Sequence, residues 1–202
     1  DAALKYAADL SPAQADLEKA TLLFAEGKFR ESEALAKKLI DNNPRDVNAG
    51  LLLGRIAIDA RAYDEAEILL RKVVEIAPRF IPAWHDLVAA FKEQGKEEEA
   101  IKAIEKALQL EPTNAGSHYF YAGLLAMVGR TEESAESYKR AVELDSKLVG
   151  AYLGLGHVLK TLGDQEGGIA AYREAIALRP NLGEIYFSLS NLKTFRFTDD
   201  EI

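Results

Sequence analysis

The sequence predicts an all-α protein, a row of antiparallel helix pairs repeated in register, and three observations predict it. Pro44, Pro78, Pro112 and Pro180 stand 34, 34 and 68 residues apart, and the vacant step is Ser146. Gly27, Gly95, Gly129 and Gly163 keep the same ruler, with Arg61 filling its gap. Between these marks, apolar residues recur at helical spacing. A fixed period in this range indicates a repeat array, in which each hairpin buries its apolar stripes against its neighbours.

Residues 1–12 carry a short apolar patch, Leu4, Tyr6 and Leu10, ahead of Pro12. They read either as an N-terminal extension or as a partial helix. Five units of equal length follow, at 13–46, 47–80, 81–114, 115–148 and 149–182. The third shows how each is built. Ala83, Trp84, Leu87, Val88 and Phe91 form the stripe of an amphipathic helix. Gly95 then supplies the positive φ that a helix C-terminus often takes. Glu97, Glu98 and Glu99 open the second helix, where carboxylates favour the positive dipole end. Ala100, Ile101, Ile104, Ala107 and Leu108 give the second stripe, and Pro112, lacking an amide hydrogen, opens the connection.

Small and large residues alternate where two helices must meet. The eighth position holds Ala20, Gly54, Val88, Ala122 and Gly156; the twentieth holds Ser32, Ala66, Ala100, Ser134 and Gly168. Leu53, Leu87, Tyr121 and Leu155 stand at the seventh, and Trp84, His118 and Tyr152 at the fourth. Close antiparallel packing requires this alternation. Residues 183–202 start a sixth copy with Ile185, Tyr186 and Leu189, which reads as a capping helix. The pattern fails after Leu192, and the rest reads as the start of a linker toward a further C-terminal domain.

Composition narrows the function classes. The chain has 202 residues, 48% hydrophobic and 29% charged, as a folded globular protein does. The absence of cysteine excludes disulfides, thiolate metal sites and a cysteine nucleophile. A net charge of −8 argues against nucleic acid as the main partner. No window has the length and apolarity of a membrane span, and no signal-peptide pattern opens the chain. The first residue is Asp1 rather than Met, which reads as a processed or excised product; the compartment stays open, with the cytoplasm favoured.

The pattern resembles the tetratricopeptide repeat (TPR), a 34-residue helix–turn–helix unit. The segment Ala151-Tyr152-Leu153-Gly154-Leu155-Gly156, through Gly163 to Ala175 and Pro180, carries the resemblance most fully. The likeness implies a right-handed superhelical solenoid whose first helices line a concave groove. Asp16, Lys19 and Ala36 of the first unit depart from the large apolar residues of the family, as expected of a terminal repeat with one uncovered face. Groove positions carried over from the family are Asn48, Leu51, Arg55, Ile58 and Asp59 in the second unit. The third gives Pro82, His85, Ala89, Lys92 and Glu93; the fourth Gly116, Tyr119, Gly123, Ala126 and Met127; the fifth Gly150, Leu153, His157, Lys160 and Thr161.

This set is mixed in charge and partly apolar, which suits an amphipathic helix or extended peptide. Leu51, Ile58, Tyr119, Met127 and Leu153 are expected to meet water in the groove, and Gly116, Gly123 and Gly150 to clear space for a ligand backbone. Some TPR co-chaperones hold a C-terminal carboxylate with a Lys–Asn pair at the fifth and ninth positions. No unit here has that pair, so chaperone-tail capture is not expected.

Catalytic and metal chemistry find little footing. His85 and His157 stand two repeats apart, roughly 20 Å at the usual helix spacing, too far for one ion. His118 occupies a fourth-position packing slot. The acidic runs begin helices, and Gly167–Gly168 lacks the Lys-Ser/Thr that completes a phosphate loop. No nucleophile–base set stands out, so no cofactor, metal or catalytic residue is expected.

The tail Asn191-Leu192-Lys193-Thr194-Phe195-Arg196-Phe197 resembles the junction of bacterial proteins that join a TPR array to a sulfotransferase domain. Three readings follow. The first is a non-catalytic interaction module that binds a peptide or helix of a partner protein in its groove. The second is the substrate-recruiting or regulatory part of a larger enzyme, such as a TPR-fused sulfotransferase. The third is a scaffold that self-associates end to end.

Overall fold

The structure, a computed structural model, describes residues 11–181 and 183–190. The expectations placed on residues 1–10 and on the tail after Ser190 lie outside the described residues. All described regular structure is helical, and the chain divides after Leu110 into two compact units.

The first unit holds three hairpins: α1 (Pro12–Ala25) with α2 (Phe29–Asn42), α3 (Val47–Asp59) with α4 (Tyr63–Ile76), and α5 (Ile81–Glu93) with α6 (Glu97–Leu110). Each helix packs on the next in sequence, and the first helices α1, α3 and α5 also touch in turn. The second unit holds α7 (Ala115–Met127) with α8 (Thr131–Leu144), α9 (Val149–Thr161) with α10 (Gln165–Leu178), and α11 (Gly183–Ser190). Here α7 touches α9, and α11 packs on α10.

Both rulers act through the backbone. Gly27, Gly95, Gly129 and Gly163 have φ between +66° and +85°, and Arg61 is held at +58° in the same role. At all five sites the next amide reaches five residues back, as Lys28 does to the Leu23 carbonyl and Ala62 to that of Ala57. That is the Schellman closure, and it turns the chain into the second helix. The prolines act one residue upstream. Asn43, Ala77 and Arg179 leave the helix at φ −140°, −130° and −145°, because the following proline ring disfavours α geometry. Asp145 takes φ −139° ahead of Ser146, so the fold imposes the same exit where the proline is missing.

The small positions close each hairpin. In the first unit Ser32 Oγ donates to the Ala20 carbonyl at 2.7 Å, and in the second Ser134 Oγ does the same to Ala122. All four residues are fully buried. Each buried hydroxyl therefore satisfies itself on the partner helix, where burial without a partner would cost about 1–3 kcal/mol. Ala36 is also fully buried, so its small side chain is a core contact of the first hairpin rather than a surface replacement.

The first unit's core runs through Leu52, Leu53 and Ile56 to Leu70, Leu87, Phe91 and Ile104. Burying each such side chain contributes about 1.5–3 kcal/mol. In the second unit, Tyr138 and Tyr172 occupy the α8 and α10 positions that Leu70 and Ile104 hold in α4 and α6. Leu189 of α11 is fully buried against Tyr172 and Ala175, so α11 covers the apolar stripe that the fifth hairpin would otherwise expose.

Candidate functional site

In each of the two units the first helices carry the candidate binding residues. In the first unit, Asn48 is exposed in the opening turn of α3, where Asp46 caps its amide and that of Ala49. Arg55 is exposed but engaged, its Nε donating to Asp86 Oδ2 at 2.6 Å. Burial pushes the Asp86 carboxyl above its ordinary range, against the pull of the Arg55 guanidinium. Ile58 and His85 are half-buried, and Lys92 is exposed.

Leu51 differs from the expectation. Only 8% of it is exposed, so it belongs to the core and offers a ligand almost no apolar surface. A groove position meets water only when the neighbouring helix leaves it uncovered, and α3 is covered on both sides.

In the second unit the face is aromatic and glycine-lined. Tyr119 of α7 is half-buried and lies against Gly150 of α9, where an added methyl group would come within 3.1 Å of its hydroxyl. The space above Gly150 is therefore filled by Tyr119 rather than left for a ligand backbone, which corrects the sequence expectation. Leu153 is half-buried and packs against the Tyr172–Ala175–Leu189 cluster, so it too serves the core in part. Met127 stands 53% exposed, and His157 and Lys160 are exposed on α9.

Two residues of this face were not expected from the sequence. Tyr138 reaches from α8 between α7 and α9: a methyl at Gly123 would sit 3.6 Å from its hydroxyl, and one at Gly154 would overlap its ring. The Tyr119 and Tyr138 ring centroids are 6.1 Å apart. Tyr138 is only 7% exposed, and its hydroxyl, which makes no hydrogen bond to a described residue, is the part that still reaches solvent. Burial pushes the phenol up to about 12, and Tyr119 adds to the rise. It therefore stays a neutral donor throughout the physiological range. Tyr172 repeats the arrangement one unit on, reaching past Gly156 to place its hydroxyl 2.8 Å from His157 Nδ1. The sequence signal was available. At the position where earlier units carry Leu70 and Ile104, two tyrosines stand 34 residues apart, opposite Gly154 and Gly156.

His118 is half-buried in its fourth-position slot and makes a hydrogen bond from Nε2 to the Pro112 carbonyl at 2.9 Å. Among the described residues no three metal-ligating side chains gather, and no helix is long and apolar enough to cross a membrane.

Models of the tetratricopeptide repeat match residues 23–91, 81–114, 128–163 and 149–182. No curated protein matches the chain. Among solved structures it is similar to TTC0263, a thermophilic TPR protein in Thermus thermophilus, at 20% identity and a TM-score of 0.72, covering 87% of this chain and 96% of that one. It is similar also to MamA 41-end from Desulfovibrio magneticus RS-1, at 16% identity and a TM-score of 0.71, with 84% and 96% covered. YrrB, described as a TPR protein with an unusual peptide-binding site, aligns at 16% identity and a TM-score of 0.66, with 86% and 89% covered. At such identities the solved structures establish the fold alone. The repeat models together take in more than half of the residues, and the chain belongs to the tetratricopeptide-repeat family.

Proposed function

We propose that this chain is a non-catalytic interaction module that binds a peptide segment of a partner protein on its first-helix face, with residues 111–190 as the recognising part. The observation that carries the reading is the Tyr138 hydroxyl, held between Gly123 and Gly154 with no hydrogen bond to a described residue. The hydroxyl still reaches solvent, so it can donate to the backbone of an extended peptide lying beside Gly123. Tyr119 supplies an aromatic wall, Met127 an adaptable apolar contact, and Lys160 a cation that makes no ion pair among the described residues. A peptide-binding site is also what YrrB, a neighbour in fold, is described as having.

Selection of short random peptides on the immobilised chain, followed by calorimetric titration of the enriched sequences, tests this. Tyr138→Phe removes one hydrogen-bonding group without altering shape and is expected to weaken binding up to roughly tenfold. Met127→Ala and Lys160→Ala are expected to weaken it further, and Ile68→Ser, on the second helix α4, to leave it unchanged. Enrichment of no peptide, or affinities untouched by Tyr138→Phe and Lys160→Ala, would refute the assignment.

A further inference from the structure

The first unit carries a separate cleft on the side of its second helices. It opens between α4 and α6 over α5, with a volume of about 360 Å³ and a floor of Trp84, Leu87 and Phe91. Arg71, Lys102 and Lys106 stand around its edge with one acid, Glu99. The Arg71 guanidinium lies over the Phe91 ring, 5.0 Å from its centre, while its Nε donates to Glu67. Lys102 and Lys106 make no ion pair with any described residue. They sit one turn apart on α6, with Cβ atoms about 5–6 Å from each other.

The repeat immediately before provides an internal control. Its equivalent cleft, over α3 between α2 and α4, has about 100 Å³. In the repeat register Gly50 stands for Trp84, Ala57 for Phe91 and Ile68 for Lys102, and of these only Ala57 lines the smaller cleft. The Phe91 ring and the Lys102 cation are thus particular to the α4–α6 cleft, and none of the three is demanded by the repeat, since the earlier hairpin folds without them.

We propose that this cleft is a docking site for an acidic amphipathic helix of a partner protein. Charge selects the occupant. In a chain of net charge −8, and with Arg71 held by Glu67, the edge still offers two unpaired lysines against one acid, which is complementary to carboxylates and repels a basic segment. Carboxylates one turn apart on the incoming helix meet Lys102 and Lys106, and the apolar side chain between them enters over the half-buried Trp84. The site shares no residue with the recognising face proposed for residues 111–190.

Trp84 is the only tryptophan in the chain, so its emission reports this cleft alone. The probe is a capped, tryptophan-free helical peptide in which glutamates one turn apart bracket leucines, titrated in its Glu, Gln and Lys forms. The Glu form is expected to move Trp84 emission to shorter wavelength in a saturable, salt-sensitive manner. It should bind roughly tenfold more tightly than the Gln form, and the Lys form should not bind. The double variant Lys102→Gln, Lys106→Gln should erase the Glu-over-Gln preference with its circular dichroism unchanged, and Lys160→Ala on the first-helix face should leave the preference intact. Equal binding of the Glu and Gln forms, no binding of the Glu form, or binding that leaves Trp84 emission unmoved would each overturn the proposal. Peptide selection on the first-helix face would stand in all three cases.

Discussion

The indole of Trp84 donates its Nε1–H to the carbonyl oxygen of Pro78 at 2.9 Å. His118, 34 residues on, repeats the contact with Nε2 on the Pro112 carbonyl, also at 2.9 Å. A ring nitrogen that bonds a carbonyl must carry the hydrogen, so Nε2 of His118 is protonated in this arrangement. In both hairpins the fourth-position ring fastens the loop that delivers it, which is a reason to place a nitrogen heterocycle there rather than a plain hydrophobe.

Trp84→Phe and His118→Phe should each lower stability by about 0.5–1.5 kcal/mol, the net worth of a typical hydrogen bond. The low end is expected, because both carbonyls belong to exposed prolines that water can serve in place of the ring. Urea unfolding followed by circular dichroism reads this directly, and unchanged midpoints for both variants would remove the fastening role.

Among the described residues, Arg61 occupies the one left-handed turn position that lacks glycine, at φ +58°. An L side chain there costs about 1–2 kcal/mol, part of which glycine's greater unfolded-state freedom offsets. Arg61→Gly is therefore expected to stabilise the chain by about 0.5–1 kcal/mol, a rise in melting temperature of a few degrees for this size. A lower melting temperature would mean that the Arg61 side chain contributes more than its backbone strain removes.

The fold was legible because its punctuation works locally. A glycine ruler fixes where φ turns positive, and a proline ruler fixes where the preceding residue goes extended, with no reference to tertiary context. The candidate site was legible only in outline. Leu51 and Gly150 were placed on the correct helices, but their surroundings depend on what the adjacent helix supplies: a covering neighbour for Leu51, the Tyr119 ring for Gly150. The sequence alone hides the role of Tyr138 and Tyr172 because their position reads as core in every earlier hairpin. Their rings are buried as that reading requires, and only their hydroxyls reach the opposite face.

The glycines beneath those rings should be intolerant of any side chain. A methyl group at Gly156 would lie 2.5 Å from Tyr172 Cε1, and one at Gly154 would overlap the Tyr138 ring. Gly156→Ala and Gly154→Ala are each expected to destabilise by about 1–3 kcal/mol, although alanine is the better helix former. The cause is separable by a double-mutant cycle. In a Tyr172→Ala background, Gly156→Ala should become neutral or favourable, and Tyr138→Ala should do the same for Gly154→Ala. Additive penalties would place the intolerance elsewhere than at the rings.

The raised Tyr138 phenol gives stability a dependence on alkaline pH. Folded, it holds its proton to about 12, whereas an unperturbed tyrosine releases it near 10.0. Between those values the unfolded chain binds fewer protons than the native one, so stability falls as pH rises through the window and is unaffected below it. The whole shift corresponds to on the order of 2 kcal/mol. Urea midpoints measured from neutral pH through this range should fall more steeply for the native sequence than for Tyr138→Phe, which cannot ionise. The difference spectrum of phenolate formation should show a late-titrating component that the variant lacks. Parallel midpoints, or a Tyr138 that ionises with the exposed tyrosines, would mean that burial of its ring does not set the ionisation of its hydroxyl.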